Sequence, residues 1–199
     1  MPLADPLCGS GTLLIEAAAM ALGVAAGLDM ASGEPRELAL QRWDDFDPDL
    51  WQQELEAARS HNRCSSGRLS DGTPLATILG SDNDPAVIEQ ARANAAAAGV
   101  GAWLQLNQGD CRSFEPPPGP GIMVCNPPYG ARIGAGDHEQ LEQLYSDLGT
   151  MAKERCSGWT LWLLSGNPEL TGALRMKAAR KIPVSNGGID CRWLRYEIR

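Results

Sequence analysis

The chain has 199 residues, 43% of them hydrophobic and 21% charged, and a net charge of −8. That apolar fraction excludes a wholly disordered chain, and no run of ~18 apolar residues is present to form a membrane-spanning helix. The start, MPLADPLCGSG, lacks the basic-then-apolar pattern of a secretory signal, and the length suits one α/β domain, or one domain with a small insertion.

Met1 lies four residues before Asp5, which reads as the end of a strand, so the first strand is expected to be clipped. A glycine-bearing turn follows, then an apolar run at helical spacing over residues 12–22. Residues 23–35 are rich in small residues and break the helix. Residues 36–63 read as helical again, with Asp47-Pro48 as a cap and first-turn proline, so a helical insertion is expected at about 24–65. A buried strand is expected over 75–81. Asp84, Pro85 and Gly99 then bracket a helix as N-cap, first-turn proline and C-cap. Further strands are expected at 103–107 and 121–125, a helix at 138–155, a strand at 159–165, a helix at 168–178 and a closing strand in CRWLRYEIR. This alternation predicts one domain over 1–199, built on a doubly wound, mostly parallel sheet.

Six cysteines lie scattered with no CxxC pair, and His61 and His138 stand alone. Reduced buried thiols in a cytoplasmic protein, without a structural metal, are the expectation. The charge is uneven: residues 151–199 hold nine Lys/Arg against four Asp/Glu, and residues 1–150 hold eight against 21. A protein that grips nucleic acid unaided is usually basic overall. Lys177, Arg180, Lys181, Arg192 and Arg195 therefore offer an auxiliary RNA contact or ordinary solvated charge.

Four constellations fall at the ends of the first four strands. Asp5-Pro6-Leu7-Cys8-Gly9-Ser10-Gly11-Thr12 is a strand-to-helix turn whose glycines let backbone amides approach a ligand, or simply a tight turn. It has neither the ending of a phosphate loop nor a third glycine for the full dinucleotide pattern. Asp82 ends the second strand, where an acid accepts both hydroxyls of a ribose or merely joins Asp84 in capping the next helix. Gly109-Asp110 closes the third strand, placing an acceptor for an exocyclic adenine amine or a plain turn residue. Asn126-Pro127-Pro128-Tyr129 follows the fourth. Its prolines fix the backbone and remove two donors, so a side-chain carbonyl and a proline carbonyl can take both hydrogens of a planar NH2 group. Tyr129 offers a flat face to the ring that carries it.

Taken together, these four sites resemble the class I S-adenosylmethionine-dependent methyltransferases, a Rossmann-like α/β fold, in the amino-methylating branch marked by NPPY. DPLCGSGTLLIEAA, GSDNDPAVIEQARANAAAAGV and CNPPYGARIG are similar to the ribosomal RNA large subunit methyltransferase L family over almost the whole chain. That family methylates the N2 amine of a guanine in 23S rRNA. The resemblance implies S-adenosylmethionine as cofactor, with Asp5, Pro6, Cys8, Gly9, Gly11 and Thr12 around its methionine portion. It further implies Asp82 on the ribose, Asn83 over the adenine, and Asp110 and Cys111 at the adenine edge. Asn126, Pro127, Pro128 and Tyr129 would hold the target base, with Asn126 also bordering the cofactor. The partner implied is 23S rRNA or a large-subunit assembly intermediate. Family members carry an RNA-binding THUMP region and some a second methyltransferase domain; neither is among these residues, so the RNA grip is expected to need that region. N6 methylation of adenine in DNA or RNA, methylation of a protein glutamine, and a non-catalytic cofactor- or RNA-binding fragment stay open.

Overall fold

The computed structural model describes every residue except 30, 31, 33, 64, 65 and 130–134, and the side chains of 135–137 are also outside the description. Cys64 and the GARIG part of the third resembling segment therefore lie outside the described residues.

β1 (Leu3–Asp5) runs into α1 (Thr12–Ala21), and α2 (Pro48–His61) precedes β2 (Ile78–Asp82) and α3 (Pro85–Ala97). β3 (Leu104–Gln108), β4 (Ile122–Cys125), α4 (Ala135–Arg155), β5 (Thr160–Ser165) and α5 (Pro168–Ala173) follow, then β6 (Arg180–Asn186) and β7 (Ile189–Glu197). Among the described residues seven strands form one sheet in the order β3-β2-β1-β4-β5-β7-β6. β1 to β5 are parallel, while β7 runs antiparallel to both β5 and β6. This is the doubly wound, mostly parallel sheet that the alternation of elements predicts, with an antiparallel hairpin added at one side.

Side chains alternate between the two faces of a strand, and the register sorts them into two cores. Ala4, Met123, Leu161, Leu163, Leu194 and Tyr196 pack with Tyr145 and Leu148 of α4 and Leu170 of α5. On the opposite face Ile78 and Leu106 pack with Leu14 and Ala18 of α1 and Ile88 and Ala91 of α3. The helices begin where local chemistry dictates. Asp84, Asp47 and Asn167 each accept a backbone N–H of the following turn, with proline in the first helical position.

Three expectations are corrected. The helix expected over 36–63 is a 3-10 turn at Ala39–Arg42 followed, after a break, by α2. The helix expected over 168–178 stops at Ala173, and Arg175 adopts a φ of 50°, which a helix cannot continue through. Residues Arg180–Asn186 are instead a strand, unforeseen from the sequence, that pairs with β7 through Gly187 (φ 58°) and Gly188 (φ 81°). Two consecutive positive-φ residues are what a two-residue hairpin turn demands. β6 is an outer strand of the sheet, and Pro183 in it has no N–H to offer on its open side. Among the described residues no helix is long and apolar enough to cross a membrane, and no group of three or more His, Cys, Asp or Glu could hold a metal ion.

Candidate active site

Parallel strands β3, β2, β1 and β4 end side by side, so the four constellations meet along one rim of the sheet. The turn after β1 is built first. Gly11 caps α1 in the left-handed region (φ 84°), and a side chain there would also press on Ala91 of α3. Gly9 is likewise left-handed (φ 54°) but has open space where a side chain would stand. Its backbone N–H donates to Asp82 Oδ2 at 3.1 Å, and the Cys8 N–H donates to the Ser81 carbonyl at 2.9 Å. The glycine turn is thereby fastened to the end of β2.

Asp82 fastens two turns at once. Its Oδ1 accepts the Asp84 N–H at 3.0 Å, so it does stiffen the turn into α3. A carboxylate has about four acceptor positions, so half of them remain. Gly109 N–H donates to the Asp82 carbonyl at 2.9 Å, which ties the end of β3 to the same point. Asn83 and Thr12 are exposed on the rim. Asp84 caps α3 through Ala86 N–H.

Asp110 is engaged by its neighbour. Arg112 donates Nε to Oδ1 at 2.9 Å and Nη2 to Oδ2 at 2.6 Å, and these bonds hold the Asp110 carboxyl below its usual range. Asp110 also caps the 3-10 turn Cys111–Ser113. The turn-residue reading is thus what the protein alone displays, and an adenine amine would compete with Arg112 for the remaining acceptor capacity.

Asp5 and Pro6 are buried beneath the turn, Asp5 at 2% exposure. The Asp5 carboxylate accepts the Leu7 N–H at 3.0 Å and a hydrogen bond from the Cys125 thiol, and no cation among the described residues pairs with it. Burial therefore pushes its pKa up to about 7. Burial likewise drives the Cys8 thiol up to about 12 and the Cys111 thiol to about 11, so neither is a thiolate nucleophile at neutral pH. Cys125 is fully buried behind Asn126 and is held protonated by the same desolvation.

Beyond β4, Asn126 is exposed and its carboxamide has no hydrogen-bond partner among the described residues. Pro127 is buried and Pro128 exposed. The Tyr145 hydroxyl of α4 donates to the Pro128 carbonyl at 3.4 Å. Tyr129 is half-buried. Its hydroxyl accepts from Asn186 Nδ2 at 2.8 Å and from the Cys191 thiol at 3.5 Å. The β6–β7 hairpin therefore fixes the orientation of the ring. Sequence reading missed Tyr145, Asn186 and Cys191. The unread signal was Asn186-Gly187-Gly188, a dipeptide turn of the kind that closes the hairpin bringing the last two in.

Residues 1–195 match the family described as the RMKL-like methyltransferase domain. The chain belongs to this family. The RMKL-like domain is 39% identical over 201 residues to a candidate RNA methyltransferase of Synechocystis sp., covering all of this chain and 48% of that protein. It is 38% identical over 200 residues to the ribosomal RNA large subunit methyltransferase K/L of Aliivibrio salmonicida, covering 99% of this chain and 26% of that one. The domain thus spans at most about half the length of these two curated relatives. Among solved structures it is similar to SMU.472, a candidate methyltransferase complexed with SAH, at TM-score 0.83 and 26% identity, covering all of this chain and 48% of that one. It is also similar to a chain from Listeria monocytogenes described as a predicted N6-adenine-specific DNA methylase, at TM-score 0.79 and 28% identity, covering all of this chain and 47% of that one. The fold of the RMKL-like domain is the class I, Rossmann-like methyltransferase fold.

Proposed function

We propose that this chain transfers a methyl group from S-adenosylmethionine to the exocyclic N2 amine of a guanine in 23S rRNA, free or in a large-subunit assembly intermediate. The observation that carries the reading is the exposed Asn126 carboxamide, without a partner among the described residues, on a proline-fixed turn next to the turn that Gly9 and Asp82 pin together. Three features fit the cofactor. The Ser81 hydroxyl is buried and lacks a partner among the described residues. The Asp5 carboxylate is buried without a cation among the described residues, and a methionine ammonium would supply one. Gly9 leaves open space above the turn.

When bound, S-adenosylmethionine supplies a methyl group already activated on a sulfonium. The protein's task is then placement, which is an entropic and geometric contribution. Asp82 keeps acceptor capacity for ribose hydroxyls. Asn126 Oδ1 and the Pro127 carbonyl accept the two N–H groups of the target amine. That pairing favours a pyramidal nitrogen with its lone pair free, and it strengthens as positive charge grows there in the transition state. Tyr129 stacks on the base, which must be presented unpaired. In the full-length protein a THUMP region would supply most of the RNA grip, and the setting would be cytoplasmic.

The test is Asn126→Ala. Calorimetry should show S-adenosylmethionine affinity nearly unchanged, while methyl transfer to 23S rRNA by the full-length protein is abolished. A variant as active as the parent would overturn the role of Asn126. Nucleoside mapping of the product fixes the amine: N2-methylguanine is expected. N6-methyladenine would favour the second reading, to which the similarity with the Listeria structure lends support.

A further inference from the structure

A cleft of about 800 Å³ opens beside the target-amine site, between α5 and the sheet face that β6 and β7 present. Its inner end is shared with the active site. Cys191 lines the cleft and donates to the Tyr129 hydroxyl, and Ser165 lines it and bonds the Tyr145 hydroxyl that reaches Pro128. The register explains which charges enter it. Lys181 pairs with Leu194, and Arg192 with Pro183 and Ser165, so both basic side chains stand on the face toward α5. Arg180 pairs with Arg195 and stands on the opposite face, where Arg195 is held by Glu197 at 2.6 Å. The basic residues of the chain's last quarter are therefore not one patch. Two line the cleft, exposed and without an ion-pair partner among the described residues, against a single acid there, Asp190.

We propose that this cleft holds the single-stranded RNA next to the target nucleotide, with Lys181 and Arg192 on its phosphates and the partly buried Met176 beside a neighbouring base. The proposal rests on methyl transfer at Asn126–Tyr129. The cleft adds to it a direction for the strand: out of the site past Tyr129 and along the α5 face of the hairpin. Its volume lies within the ~300–1,000 Å³ of small-ligand sites, so it suits a nucleotide rather than a duplex. Cationic side chains at its mouth match a polyanion even though the molecule as a whole is acidic.

The experiment measures binding of a short single-stranded oligoribonucleotide to the full-length protein across a salt series, together with methyl transfer to 23S rRNA. Lys181→Ala/Arg192→Ala is compared with Arg180→Ala, which removes a charge from the other face. Each phosphate contact on a single strand contributes about 0.7 to the log–log salt slope, so the double variant should lose about 1.4 of it. It should also raise KM for RNA roughly tenfold or more, with S-adenosylmethionine affinity unchanged. Arg180→Ala should change neither. A double variant with the parent's slope and KM overturns the cleft while leaving the methyltransferase reading intact. A parent that transfers methyl only to a protein amide or to DNA overturns both. Since Lys181 and Arg192 are exposed, Lys181→Gln/Arg192→Gln provides a second variant that keeps side-chain bulk and should behave in the same way.

Discussion

Asp5 and Asp82 are the same residue type, one strand apart, in different states. Asp82 is half-exposed and receives two backbone N–H groups, whereas Asp5 is 2% exposed with one N–H, one thiol and no cation among the described residues. The cost of charging Asp5 is expressed in its pKa of about 7, against 3.8 for the ordinary group. Between pH ~4 and ~7 the folded carboxyl holds a proton that the unfolded chain has released. Its contribution to stability therefore falls as pH rises through that window and is flat above it. Asp5→Asn keeps an oxygen for the Leu7 N–H and removes the charge. At about 1.4 kcal/mol per pKa unit, discounted for relaxation, the variant should be more stable than the parent by roughly 1–3 kcal/mol at pH 8. That gain should vanish toward pH 4.5. Urea unfolding at several pH values checks this, and a difference between variant and parent that does not change with pH would count against it.

At the level of elements, α4 and α5 meet through Gly149, where a Cβ would lie 2.4 Å from the Leu174 carbonyl oxygen. Alanine in place of glycine within a helix normally stabilises by up to ~1 kcal/mol, but here the obstacle is backbone. Gly149→Ala should therefore destabilise by roughly 1–3 kcal/mol in thermal or urea unfolding, and an unchanged or higher stability would contradict the close approach. Such contacts also mark the limit of what the sequence discloses. α3 was legible almost to the residue, because Asp84, Pro85 and Gly99 act on the backbone beside them. The positions of Asp5, Asp82, Asp110 and Asn126 along one rim were legible too, since strand ends follow from alternation alone. β6 was not: residues 174–179 have ordinary helix formers, and the stop comes from Arg175 and from pairing with β7. Likewise, nothing near Tyr129 in the chain announces Asn186 and Cys191, which lie 57 and 62 residues away and arrive only through the hairpin.

Seen whole, the molecule places the carboxylates of its rim and the two cations of the cleft at different ends of one sheet. The acidic first 150 residues supply the β1–β3 half with its carboxylate rim, and the basic remainder supplies the hairpin beside the proposed strand exit. The sheet has two outer strands, β3 and β6, and β6 carries Pro183 at its middle. A sheet edge exposes a row of donors and acceptors that can recruit an identical edge from another copy, and a proline removes one donor from that row. Pro183 thus has a meaning apart from any ligand: it keeps concentrated protein from zipping together along β6. Pro183→Thr restores the donor with a good strand former and preserves the pairing to β7. Its expected consequence is self-association that grows with protein concentration, read by light scattering or sedimentation velocity, at concentrations where the parent shows less. A variant that matches the parent across that range would mean that Lys181, Arg180 and the hairpin twist already suffice to keep the edge from pairing.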